Sequence, residues 1–470
     1  MSWWSKSTEL ARQARLRQPR LSGPYRYVRL RWHLLFGLMD AIGYMLRAAW
    51  QCWFGQRPVA GEQPRSILLI QLDHLGDAVL TSAILPAIRK RYPAARLEVL
   101  AAPWNREVFE ISGMTDAIHV CRVNRFARGW RPHWLLAQVW WGLRLRRRRF
   151  DLAIDVRGEM PLALIAWLAG AKRRVGWNCG GGGFLLTDSA EFVPGRPEME
   201  SRLALLQLMD VAPTAEVLDR QPWLTPPAAA RAKIATRLAS QARFSEDGLP
   251  SPSPNDWTAW EGHPPAHDDL SVASDSGPLI VVHLGAGTPA KRWPVAHWRE
   301  LIGRLLVEFG PRLVLIGGKR ESALAGEVLL HRTWPSVDDW TGRLTLSETA
   351  ALIEQADLFI GADSGPAHLS AAVGTPAVVL FSGTNRPEQW RPWGRASVIK
   401  RQVDCSPCHL HRCPFAGHPC MTGISPERVV RHVAAALRGM GGSRVQGSGF
   451  ERVQGSGFRV QESDVGLDHL

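Results

Sequence analysis

The 470-residue sequence contains no run of about 20 uncharged apolar residues, so it holds no simple membrane span. Seven cysteines in a chain of this length exclude a small disulfide scaffold. Acidic residues fall short of basic ones, 43 against 57, and the net charge of +14 asks for an anionic partner: nucleic acid, a membrane surface or a phosphorylated substrate. The hydrophobic content of 45% is ordinary for a soluble fold, and the length exceeds what one core usually holds, so two domains are expected.

The charge is patchy. Residues 1–63 carry ten basic and three acidic side chains, and Arg122 to Arg149 holds nine arginines without an acid, ending in four consecutive ones. Between the first arginines and the first strand lies LRWHLLFGLMDAIGYMLRAAWQCWF (30–54). Its less apolar positions, His33, Gly37, Asp40, Tyr44, Arg47 and Gln51, recur at steps of three and four. That spacing predicts a helix with one narrow polar stripe and a wide apolar face carrying Trp32, Phe36, Met39, Met45, Trp50 and Trp53. A helix lying in a membrane interface fits this pattern, and a helix docked on the protein's own core is the alternative. A signal peptide does not fit, because charge breaks the apolar run and no small-residue cleavage site follows.

After Gln63 strand and helix patterns alternate. SILLIQL (66–72), RLEVLAA (96–102) and FDLAIDV (150–156) read as buried strands around the helical AVLTSAILPAIRKRY (78–92), which predicts a parallel sheet covered by helices. A second such unit begins at LIVVHLGAG (279–287) and continues through RLVLIGG (312–318), DLFIGADSG (357–365) and AVVLF (377–381). TLSE (345–348) is a capping box. The expected organisation is a basic extension over 1–63, an α/β domain over 64–240, an acidic Pro/Ser-rich linker or insertion over 241–277, a second α/β domain over 278–438, and a disordered tail over 439–470 in which RVQGSGF occurs twice.

Three loops at strand C-termini, where open α/β sheets bind ligands, could carry chemistry. In QLDHLGDAVLTS, Gly76 is expected to let the backbone turn, and Asp77 is either an N-cap or a general base. A single glycine is no dinucleotide fingerprint, which argues against an NAD or FAD enzyme. HLGAGTPAKRWP places Thr288 and Lys291 before a helix near Pro294, suited to a diphosphate, with an ordinary solvated lysine as the alternative. GADSGPAHLSAAVGTP offers Asp363, Ser364 and Gly365 at a helix start and His368 on its first turn, the latter a ligand neighbour or a packing residue.

Taken in order, ILLIQLDHLGDAVLTSAILPAIRKRYP, FDLAIDVRGE, HLGAGTPAKRWPVAHWRELI, LIGGKRESALAGEV and FIGADSGPAHLSAAVGTPAVVLFSGT resemble the heptosyltransferases of glycosyltransferase family 9 over residues 64–438, outside the acidic insertion. The resemblance implies an α/β chain of the GT-B fold, with two Rossmann-like domains facing a cleft. It implies inverting transfer of a heptose from ADP-heptose to a lipopolysaccharide core or related phosphorylated glycolipid, without a catalytic cofactor, by a peripheral protein on the inner face of the cytoplasmic membrane. Residue by residue it implies Asp77 as the base, Lys291 on the donor phosphates with Thr288 nearby, and Ser364, Gly365 and Asp363 at the diphosphate with His368 beside them. Glu321 resembles a position that contacts the nucleoside. The extension, the insertion and the tail lie outside the family pattern.

Cys405, Cys408, Cys413 and Cys420, spaced C-x2-C-x4-C-x6-C, suit structural zinc or an iron–sulfur cluster, with packed or redox-active thiols as the alternative. A non-catalytic, membrane-bound glycan- or lipid-binding module with a retained fold is the competing function. Nucleic-acid binding accounts for the arginine runs but not for the three loops, so no nucleic-acid partner is expected.

Overall fold

The computed structural model describes residues 30–441 apart from 55–62, 123–131, 191, 194, 212–221, 247–276, 331–333 and 335. The repeat tail after residue 441, most of the acidic insertion and the first 29 residues lie outside these.

The apolar strand runs form two six-stranded, all-parallel sheets. The first holds β1 (Ser66–Gln71), β2 (Arg96–Ala101), β3 (Ala117–Val120), β4 (Leu152–Asp155), β5 (Arg173–Trp177) and β6 (Asp188–Ala190), in the order β3-β2-β1-β4-β5-β6. The second holds β7 (Leu279–His283), β8 (Arg312–Ile316), β9 (Val337–Asp339), β10 (Leu358–Ala362), β11 (Ala377–Phe381) and β12 (Ala396–Lys400), in the order β12-β11-β10-β7-β8-β9. Each is a doubly wound sheet whose order reverses once, between β1 and β4 and between β7 and β10, the place where open α/β sheets bind ligands. SILLIQ is buried along its whole length, as a strand covered on both faces must be.

The halves share their largest buried apolar cluster, which runs from Leu69 and Ile88 to Leu352 and Phe359. At the seam the Leu75–Ser82 helix of the first half packs on the Gly365–Val373 helix of the second. The Glu107 carboxylate accepts the free N–H groups of Leu346 and Ser347, at 3.2 and 3.1 Å, at the start of the Leu346–Gln355 helix. That helix carries the expected capping box, with Thr345 and Glu348 bonded reciprocally.

The expected boundary at residue 240 runs through a helix, Ala228–Glu246, and most of what anchors it belongs to the second half. Arg231 pairs with Glu354 at 2.6 Å, Arg312 donates to the Leu238 carbonyl at 2.7 Å, and the Arg237 guanidinium lies 4.0 Å over the Trp340 ring. The reason is periodic: a helix that follows the first domain in sequence buries its apolar stripe wherever a complementary surface stands.

Candidate active site between the two sheets

The first loop, beyond β1, starts the Leu75–Ser82 helix. His74 is its N-cap residue and makes no side-chain cap bond, so Asp77 does not cap the helix. Its buried carboxylate pairs with Arg202 at 3.2 Å and faces Arg157 at 4.0 Å. Arg202 is 1% exposed, bonds Glu198 at 2.9 Å and reaches Thr81 at 3.3 Å. Arg157 also faces Asp73 at 3.5 Å and Glu159 at 2.9 Å. Burial works against the Arg157 charge, but the carboxylates of Asp73, Glu159 and Asp77 together outweigh it and hold the guanidinium well above its usual value.

Arg157 and Glu159 come from VRGE after β4, the strand beside β1 at the reversal point. Asp155 ends that strand and accepts the backbone N–H groups of Arg157 and Gly158, both at 3.0 Å. Burial nevertheless raises its carboxyl to about 7. Gly76 serves a purpose other than a tight turn: it sits within the helix, and a Cβ there would lie 2.9 Å from the His368 ring of the other half. Gly365 answers it, since a Cβ there would lie 2.8 Å from Leu75. A glycine on each helix lets the two meet at the cleft.

The second and third loops leave the neighbouring strands β7 and β10. Thr288 precedes the short turn Pro289–Lys291, Pro294 precedes the Val295–Phe309 helix, and Ser364 precedes Gly365–Val373, as expected. Thr288 Oγ1 is buried without a hydrogen-bond partner, a polar atom left for something the protein itself does not supply. Lys291 Nζ bonds the Asp363 carboxylate at 2.6 Å, and Asn385 bonds the same oxygen at 2.8 Å. Asp363 therefore holds the lysine in place, and its carboxylate is a poor direct partner for a diphosphate. Ser364 Oγ lies 3.3 Å from His283 Nδ1. Burial lowers both His283 and His368 to about 4, so neither carries a charge near neutrality. Glu321 stands over Gly285, Gly317 and Gly318; a Cβ at Gly285 would lie 2.6 Å from its Cγ.

The two sides are electrostatically close. His74, three residues before Asp77, is lowered by burial first and then by the charge of Arg157, and Lys291 of the second half pushes the same way. Gln389 crosses the seam to Glu198 at 2.9 Å, joining the second half to the Arg202–Asp77 pair.

Sequence reasoning assigned no role to Arg157, Glu159, Arg202, Glu198, Asn385 or Gln389. VRGE carried a usable signal, because it follows a strand. Arg202 carried another, as a lone arginine in the apolar run SRLALL four residues after Glu198.

The four clustered cysteines line one small cavity with Ala290 and Thr384. The Cys405 thiol donates a hydrogen bond to the Cys408 sulfur and draws Cys408 down to about 6, while Cys405 itself is raised. Among the described residues no group of three or more His, Cys, Asp or Glu side chains is placed to hold a metal ion. The loop instead braces the turn at Thr288–Lys291: Ala290 donates to the His411 carbonyl at 3.1 Å, and Cys408 N–H donates to the Gly383 carbonyl at 2.9 Å.

Comparison with known proteins agrees with this geometry. Residues 141–418 match the family described as glycosyltransferase family 9 (heptosyltransferase). The chain is 27% identical over 382 residues to lipopolysaccharide heptosyltransferase 2 of Escherichia coli (strain K12), covering 79% of this chain and 98% of that protein. It superposes on the E. coli ADP-heptose lps heptosyltransferase II with a TM-score of 0.58 at 22% identity, covering 80% and 99% of the two chains. On the glycosyl transferase family 9 structure from Veillonella parvula DSM 2008 the TM-score is 0.62 at 20% identity, covering 81% and 99%. A family match over more than half its length, on two doubly wound sheets meeting at a cleft, means that the chain belongs to glycosyltransferase family 9 and is a glycosyltransferase of the GT-B fold.

Proposed function

We propose that the protein transfers a heptose from ADP-heptose to the core of a lipopolysaccharide or a related phosphorylated glycolipid, with inversion. Asp77 takes the proton from the acceptor hydroxyl as its oxygen attacks the anomeric carbon. The bond from that carbon to the phosphate oxygen breaks, and ADP leaves toward Lys291 and the Gly365 N–H at the start of the Gly365–Val373 helix. In-line displacement needs the base and the leaving-group cations on opposite sides of the sugar. The observation that carries this reading is their placement: Asp77 stands at the reversal point of one sheet, Lys291 and Ser364 at that of the other, and the helices bearing Asp77 and Ser364 are in contact.

The surroundings give each residue a task. Arg202 and Arg157 fix the Asp77 carboxylate from two directions. Asp363 and Asn385 hold Lys291 until the diphosphate competes for its ammonium. The lysine and the helix N-terminus then neutralise the leaving charge, so the chain's own groups suffice for the step. Thr288 Oγ1 donates to a phosphate oxygen, and Glu321 meets the nucleoside across its glycines. His368 acts as a neutral packing surface at the seam. Zinc or an iron–sulfur cluster would require Cys405, Cys408, Cys413 and Cys420 to close on one ion, and as they stand no three do.

We place the enzyme peripherally at the inner face of the cytoplasmic membrane, because the acceptor is lipid-borne and no described helix is long and apolar enough to cross a bilayer. The test is transfer by the purified chain, with ADP-heptose and a lipid A-bearing acceptor lacking the heptose. Product with ADP-heptose supports the reading, whereas turnover only with GDP- or UDP-sugars overturns the donor assignment.

A further inference from the structure

The Leu30–Phe54 helix docks by the wrong face for a globular protein. It touches the first domain through Asp40, Tyr44 and Arg47 of its polar stripe, with Phe36 packed on Gly181 beside them. Asp40 is buried and accepts the Gly182 N–H at 2.7 Å, Gly43 leaves room for the Phe184 ring, and Arg47 donates to the Leu186 carbonyl at 2.5 Å. Tyr44 OH accepts from Asn178 Nδ2 at 3.3 Å. Most of the apolar face points away: Phe36 and Met39 are half-buried, but Leu34, Leu38, Met45 and Leu46 are 63–67% exposed and Trp53 is 85% exposed.

Neighbouring elements extend this surface. The glycine turn under the helix packs on the Met160–Leu168 helix, which exposes Trp167, and Leu168 packs against Gly142 of the Pro132–Arg146 helix, which exposes Leu136, Trp140 and Leu143. These three helices carry twelve of the sixteen exposed large hydrophobic side chains among the described residues. A concentration of that kind marks an interaction surface. Its charge identifies the partner. Asp40 is the sole acid on the three helices and is spent internally, while Arg144 lies 5.0 Å over the Trp140 ring and Arg146 and Arg147 stand exposed beside it.

We propose that this face is a dock for an anionic bilayer, with the Leu30–Phe54 helix lying in the headgroup plane, and that the turn beneath it ties the dock to the acceptor side of the cleft. Apolar residues on the outer face and arginines at the flank are the two components such binding needs. A second copy of the chain would bring like charges together on the same face. The tie is short: Gly182 holds Asp40, Gly180 bridges to Glu159, and Arg157 of the same loop pairs with Glu159 and faces Asp77. This second part rests on the reading of Asp77 as the acceptor-side base; the dock does not.

Flotation of the full chain with vesicles of phosphatidylglycerol and phosphatidylethanolamine, against phosphatidylcholine alone, tests the dock. The wild type is expected to float with the anionic vesicles only. The double variant Leu38→Asp, Met45→Asp, altered at exposed sites, should bind them at least tenfold more weakly and turn over a deacylated, water-soluble acceptor at the wild-type rate. Equal flotation of the variant overturns the proposal, as does a wild-type dimer in size-exclusion chromatography that the variant abolishes. Asp40→Ala tests the tie: flotation and soluble-acceptor turnover should persist, while turnover of vesicle-embedded acceptor falls severalfold. Unchanged turnover on vesicles overturns the tie. Full activity of Asp77→Asn would remove the acceptor reading while the flotation result stood.

Discussion

The two halves repeat one topology and use it for opposite electrostatics. At the reversal point of the first sheet stands a buried ionic network of Asp73, Asp77, Arg157, Glu159, Arg202 and Glu198. At that of the second stand two histidines that burial keeps neutral and one lysine tethered to Asp363. The comparison teaches that strand order decides where a site opens and the loop residues decide which charge it tolerates. A network of fixed ion pairs suits a base that must not move. Neutral walls and a releasable cation suit an anion that must enter and leave.

The contrast can be broken from either side. The largest effect is expected from Asp77→Asn, which keeps the shape and removes the proton acceptor. Turnover should fall by about 10²–10⁴ while donor affinity stays near wild type, as measured by steady-state kinetics and calorimetry with ADP-heptose. Similar donor and turnover losses would mean that the first half does not supply the base. Arg202→Met comes next, on stability: it leaves Asp77 and Glu198 buried without their guanidinium, and denaturant unfolding should show a loss of about 3–5 kcal/mol. Lys291→Ala on the other side should lower kcat/KM for the donor by about 10² with a smaller stability loss than Arg202→Met, because the buried Asp363 keeps its bond from Asn385.

The smallest effects lie in pH dependence and have opposite signs in the two halves. Asp155 is raised to about 7 from an ordinary value near 4, so its contribution to stability is present below about pH 4 and lost as pH rises through 7. Asp155→Asn should flatten that loss in thermal melts. His368 is lowered to about 4 from about 6.5, so its contribution is present above pH 6.5 and lost as pH falls through 4. His368→Gln should flatten this acid limb. If both substitutions change the same limb, the electrostatic contrast between the halves is wrong.

Much of this was legible before any coordinates. Strands such as SILLIQ and LIVVH, buried on both faces, leave continuous apolar runs, and helix starts such as TLSE and DSGP obey local chemistry that a short window contains. The three loops could be found because each follows such a strand. Gly76 was legible as a glycine that matters, but its reason was not, since His368 lies almost three hundred residues away in sequence. The cysteine spacing suggested a shared metal; the fold does bring the four thiols around one cavity beside Ala290, but among the described residues no three are placed to hold an ion.

By itself, then, the sequence determined two parallel α/β units, their three chemical loops, and an amphipathic helix rich in tryptophan, because these follow from periodicity and from contacts within a few residues. Only the tertiary structure decided that Arg202 and Arg157 fix Asp77, that Asp363 serves Lys291, that Ala228–Glu246 packs with the second half, and that the Leu30–Phe54 helix turns its polar stripe inward. Each of these depends on what a side chain finds across the molecule. Burial of a charge or exposure of an apolar face is settled by the partner, and local pattern does not name the partner.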